Sequence, residues 1–123
     1  MIKEQEVWKP VPGFECYEAS SFGEIRRKRT NHRIKFLQFS KQPTGYLVVT
    51  LSCCGNRKVQ NVHRWIAQTF LPNPNNLPEV DHINNIRDDN KVSNLRWVDR
   101  STNIRKSKEK GENFVQFTTI ISI

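Results

Sequence analysis

One apolar stripe of helical period crosses the middle of this chain. His63, Ile66, Ala67 and Phe70 fall at i, i+3, i+4 and i+7 and share one face of an α-helix. Pro72 and Pro74 end that helix, because proline has no amide hydrogen to donate and its ring clashes with the turn before it. Everything ahead of the stripe is cut into short pieces. Trp8 to Phe14 carries two prolines and a glycine and predicts an extended lead-in followed by a turn. Residues 14–19, 24–28, 33–39, 46–51 and 58–62 predict strands, with turns at 20–23, 41–45 and 54–57. After the helix, residues 79–83 and 95–98 predict two more strands around a polar loop, and Asp99 or Ser101 can cap a last helix running to about Lys110. The expected class is α+β: a small antiparallel β module, then a helix, then a strand–loop–strand–helix unit.

Only 36% of the 123 residues are hydrophobic, so the core must be modest. Lys and Arg number 20 against 12 Asp and Glu, a net charge of +8 that suits a polyanionic partner. The excess is gathered in two blocks. Arg26, Arg27, Lys28, Arg29, Arg33, Lys35 and Lys41 form the first; Arg96, Arg100, Arg105, Lys106, Lys108 and Lys110 form the second. Such clustering favours a binding surface over general solvation. Phosphate contacts of this kind position a duplex without reading its sequence. The start of the chain has no apolar signal region, and no segment is long enough to span a bilayer. The cysteines are Cys16, Cys53 and Cys54, an odd count with an adjacent pair, which predicts free thiols and an intracellular, reducing location. They match no usual zinc spacing.

The residues that carry chemistry cluster late. Asp81 and His82 are adjacent, Asn94 follows in the next strand region, and Asn103 comes after it. Phosphodiester hydrolysis needs a base for the attacking water and a cation at the scissile phosphate. A hard ion such as Mg²⁺ takes one or two protein oxygens, which Asp81 and the Asn103 carbonyl oxygen can supply. Neutral His82 can accept a proton near pH 7. Its other ring nitrogen needs an acceptor, which the Asn94 side chain or a backbone carbonyl could provide. Arg96 or Arg100 could hold phosphates. His63 opens the apolar stripe and reads as a packed or capping histidine.

Residues 59–106 resemble the HNH endonuclease family, in particular phage and intron-encoded homing endonucleases. The resemblance is carried by Val62-His63-Arg64-Trp65-Ile66-Ala67-Gln68-Thr69-Phe70, by Glu79-Val80-Asp81-His82-Ile83-Asn84, by Asp89-Asn90-Lys91-Val92-Ser93-Asn94-Leu95-Arg96-Trp97-Val98 and by Asn103. It implies a ββα-metal nuclease unit over residues 57–110. It assigns Asp81 and Asn103 to the metal, Mg²⁺ or Mn²⁺, His82 to water activation, and Asn94 to positioning of the base and its loop. Residues 6–52 resemble the NUMOD-type motif attached to such nucleases, implying a β-rich DNA-binding module. An apolar tail, 111–123, has no assigned role.

The expected protein is a metal-dependent endonuclease that nicks double-stranded DNA, in a bacterial or phage-infected cell. It needs no membrane and no obligate protein partner, and acts as a monomer or weak dimer. Two other readings are a catalytically decayed relative that only binds DNA and an RNA-binding β-module that stacks bases on exposed aromatics.

Overall fold

A computed structural model of the chain describes residues 5–28 and 33–101. Arg29, His32, Asn103, Arg105 and the 111–123 tail lie outside them.

The first sheet is an antiparallel meander of β1 (Trp8–Val11), β2 (Phe14–Ser20), β3 (Ile25–Lys28) and β4 (Ile34–Phe36), in that spatial order. The proline-bearing lead-in is therefore a strand. Pro10 is tolerated because β1 lies at the sheet edge, where one side of the strand needs no donors. The second sheet holds β5 (Ser40–Lys41), β6 (Leu47–Cys53) and β7 (Asn56–Asn61). Cys54 and Gly55 close the β6–β7 hairpin with φ of +54° and +84°, the two left-handed residues of a type I′ turn. The helix α1 (Val62–Phe70) follows directly. A two-stranded unit, β8 (Glu79–His82) and β9 (Leu95–Val98), comes last, with a 3-10 turn at Val92–Asn94 between them. Arg100 and Ser101 are already helical where the described residues stop.

Trp65 on α1 is the centre of the core. It is 1% exposed, meets Phe14 edge-on at 5.1 Å, and donates its indole N–H to the Val49 carbonyl at 3.3 Å. Around it lie Val11, Tyr17 and Ile25 from the first sheet, Leu51 from the second, and Val80 and Leu95 from the last hairpin. A buried aromatic of this size removes about 150–250 Å² from water, worth ~4–6 kcal/mol at ~25 cal/mol per Å².

The free-thiol expectation is corrected by the structure. Cys16 and Cys53 form a disulfide with a Cα–Cα distance of 6.1 Å, leaving Cys54 as the exposed thiol. The pairing follows from β2 lying against β6. Beside it the Tyr17 hydroxyl donates to the Ser52 carbonyl at 3.1 Å and accepts the Ser52 amide at 3.2 Å. Among the described residues no helix is long and apolar enough to cross a membrane.

Candidate active site

The β8–β9 hairpin separates the two adjacent site residues. Side chains alternate along a strand, so Asp81 and His82 leave opposite faces. Asp81 stands across from Arg96, and His82 across from Leu95. On its face the Asp81 Oδ2 accepts the Arg96 Nε–H at 2.9 Å. On the other face the His82 Nε2 lies 2.8 Å from the Asn90 Oδ1. Both residues are buried, at 6% and 5% exposed. In the tautomer that carries its proton on Nε2, the His82 ring donates to this amide oxygen.

The Asn94 side chain braces the loop and does not itself meet the His82 ring, which faces Asn90. Its Oδ1 accepts the Asn84 amide at 3.0 Å, and its Nδ2 donates to the Asn84 Oδ1 at 2.9 Å and the Asp89 carbonyl at 2.8 Å. The Ile83 amide donates to the Asn94 carbonyl at 2.8 Å. Asn94 thus ties both ends of the loop together, and Asn90 is the side chain that meets the imidazole. Asn94 sits at the end of the 3-10 turn beside the base of β8, where the loop's backbone groups need partners. Asn90 stands inside the loop and reaches back over His82. The sequence offers several asparagines here, and their spacing alone does not say which one meets the ring.

Two aromatic neighbours also escaped the sequence reading. The His63 ring centre lies 4.6 Å from that of His82, and Tyr46 lies 5.2 Å from His63 and 5.8 Å from His82. The Arg87 guanidinium covers Tyr46 at 4.9 Å and donates to the Thr44 carbonyl. His63 is a packed histidine, as its place in the stripe suggests, but it packs against the site. Burial, with the charges of His82 and Arg64, pushes its pKa down from 6.5 to about 3. Its Nδ1 is buried without a hydrogen-bond partner among the described residues.

A histidine depressed in this way takes up its proton more readily in the unfolded chain. Its contribution to stability is complete above its unfolded value of 6.5 and is lost as pH falls toward its folded value of about 3. Urea melts across that range should show stability rising with pH, and His63→Leu should flatten the rise by ~1 kcal/mol per pH unit. An unchanged slope in His63→Leu would remove His63 as the cause. Glu18 adds to the lower part of the same window. Burial pushes its carboxyl up, but Arg26 and Lys28 together outweigh this and leave it below 4.5.

Several of the expected phosphate ligands are engaged within the protein. Arg26 forms a 2.7 Å ion pair with Glu18 and stacks on Trp8 at 3.9 Å. Lys28 reaches the same carboxylate at 3.1 Å. Arg27 donates to the Tyr17 hydroxyl at 2.8 Å and the Ser52 carbonyl at 3.0 Å. Arg96 is paired with Asp81, and Arg100 with Glu79 at 3.2 Å. Lys28, Arg33, Lys35, Arg96 and Arg100 are exposed, whereas Arg26 and Arg27 are half-buried. The first block thus divides into sheet-bracing arginines and outward cations.

The site's donor set suits a hard cation. Asp81 supplies a buried carboxylate, and the only group of three His, Cys, Asp or Glu ligands among the described residues is Cys16, Cys53 and Cys54, away from this hairpin. The Asp81 carboxylate is a hard oxygen donor of the kind a divalent cation takes, and among the described residues no three His, Cys, Asp or Glu ligands gather at this hairpin as a tetrahedral zinc cage would need.

A model described as the NUMOD4 motif matches residues 6–52, and one described as HNH endonuclease matches residues 60–105. The chain belongs to the HNH endonuclease family and carries a NUMOD4 motif ahead of its HNH unit. Among particular relatives, an uncharacterized HNH endonuclease of Acanthamoeba polyphaga mimivirus is 34% identical over 102 residues, covering 83% of this chain and 30% of that protein. The DNA endonuclease I-HmuI of Bacillus phage SP01 is 31% identical over 105 residues, covering 85% of this chain and 59% of its own length. A solved structure describing DNA binding and cleavage by the HNH homing endonuclease I-HmuI superimposes with a TM-score of 0.73 at 30% identity, over 94% of this chain and 66% of that one. The chain thus spans about a third to three fifths of the relatives' lengths.

Proposed function

We propose that this protein is a metal-dependent DNA endonuclease of the homing type that nicks one strand of a duplex. The observation that carries the reading is the β8 arrangement. A buried imidazole held by Asn90 and a buried carboxylate leave opposite faces of one strand at neighbouring positions. His82 Nδ1 takes the proton from the attacking water, while Asn90 holds the Nε2–H and so fixes the ring's orientation. Asp81, with Asn103 beyond the described residues, holds the divalent ion. That ion, when bound, neutralises charge developing on the scissile phosphate and its leaving oxygen. Asn94 keeps the loop folded under the base. Exposed Lys28, Arg33 and Lys35 on the first sheet, with Arg96 and Arg100 on the second unit, contact the phosphate backbone.

Arg96 gives Asp81 a counter-charge in this state. A dication at the same carboxylate would compete with the guanidinium, which is half exposed and can swing toward a DNA phosphate. Supercoiled plasmid carrying the protein's own genomic locus tests the proposal. Mg²⁺ or Mn²⁺ should produce open circles at sub-stoichiometric protein, and EDTA should stop their formation. Salt-sensitive DNA binding with no metal-dependent nicking would sink the enzyme reading in favour of a DNA-binding module.

A further inference from the structure

The loop that holds His82 leans on a turn of the first sheet. In that turn the Gly23 amide donates to the Ser20 carbonyl at 3.0 Å, and the buried Ser20 Oγ accepts the amides of Phe22 and Glu24 at 3.1 Å each. Ser21 anchors the turn to the start of β1 by exchanging hydrogen bonds with Val7 at 2.8 and 2.9 Å. Its carbonyl accepts the Val92 amide, across the module boundary, at 2.9 Å. Gly23 has φ of +93°, and a Cβ there would lie 2.9 Å from both the carbonyl carbon and the carbonyl oxygen of Asn90. The Asn90 main chain therefore rests directly on Gly23, and the Asn90 side chain meets His82 at 2.8 Å.

We propose that the 20–23 turn of the N-terminal module is a positioning element of the active site, acting through the Asn90 main chain on the orientation of His82. This rests on the reading of His82 as the base. The contact is stiff because it is made by backbone. A side chain can rotate away from pressure, but the Asn90 peptide is held by Asn94 through Asp89 on one side and by Ser21 through Val92 on the other. The 20–23 turn thus links the first sheet to the side chain that meets His82. The module does more than supply affinity.

Gly23→Ala tests the link, with Gly13→Ala as its control. Gly13 has a similar φ of +79° but nothing within 4 Å of its would-be Cβ, so it reports left-handed backbone strain alone. Three quantities are read: single-turnover cleavage at saturating DNA, DNA affinity in EDTA, and the imidazole ¹H–¹³C NMR signals of His82. Gly23→Ala should slow cleavage by ~10- to 100-fold, leave affinity within about threefold, and move the His82 signals in the direction that Asn90→Ala moves them. Gly13→Ala should leave cleavage, affinity and the His82 signals at their wild-type values. Wild-type cleavage by Gly23→Ala, unmoved His82 signals, or an equal loss in Gly13→Ala each overturns the proposal. If Gly23→Ala does not fold, Ser20→Ala takes its place with the same expectations, since it loosens the turn and adds no atom. A wild-type protein that never cleaves, yet whose His82 signals follow Gly23→Ala, overturns the nuclease reading and upholds the link. One that cleaves, with signals blind to Gly23, does the reverse.

Discussion

His82→Ala should slow cleavage of saturating DNA by about 10²- to 10⁴-fold, the usual worth of a positioned general base. Duplex affinity should hardly change, because His82 is 5% exposed and the phosphate contacts proposed above are made by outward cations. The alanine also leaves a cavity beside His63 and Tyr46, so a thermal melt must accompany the kinetics. His82→Gln fills most of that space and keeps a polar contact for Asn90, but cannot serve as a base near neutral pH. Full activity in His82→Gln would show that the ring only fills space. Loss of binding in step with loss of cleavage would make it a structural residue.

Asp81→Asn should be nearly as damaging, and by a separate route. A carboxamide keeps the shape but removes the negative charge that a hard cation needs. Cleavage should fall by ~10²-fold or more, since a metal at the phosphate contributes several kcal/mol of charge stabilisation. Mn²⁺ binding, followed by electron paramagnetic resonance, should weaken in parallel. Folding should be little affected, because the Arg96 side chain is 49% exposed and can return to water when its partner is neutralised. Undiminished Mn²⁺ binding in Asp81→Asn would remove this carboxylate from the metal site. A large drop in melting temperature would instead assign Asp81 to structure.

The elements of the fold were largely legible from local chemistry. The stripe from His63 to Phe70 became α1, and the β-branched run 46–51 became β6. Pro10 hid β1, because a proline argues against a strand until its edge position is known. The disulfide was hidden for a related reason: the approach of Cys16 to Cys53 depends on β2 packing on β6, which no spacing encodes. Within the site, motif residues named Asp81, His82 and Asn94, but not the division of labour among the asparagines. Asn90, Tyr46 and His63 reach His82 from three different elements, and a tertiary meeting of that kind leaves no period in the sequence. Arg26 and Arg27 looked like free cations because Glu18, Trp8 and Tyr17 become their neighbours only through strand pairing.

Trp65 bears on how the molecule is made. Phe14, Tyr17 and Ile25 leave the ribosome early, but the indole they enclose is synthesised only with the helix, and Val80 and Leu95 come later still. The nascent first sheet therefore holds an unsealed apolar face during synthesis, exposed to chaperones and to other nascent chains. For the same reason the two family segments should melt together in one transition, and a NUMOD4 motif cut from this chain at its boundary would carry half a core into its new host.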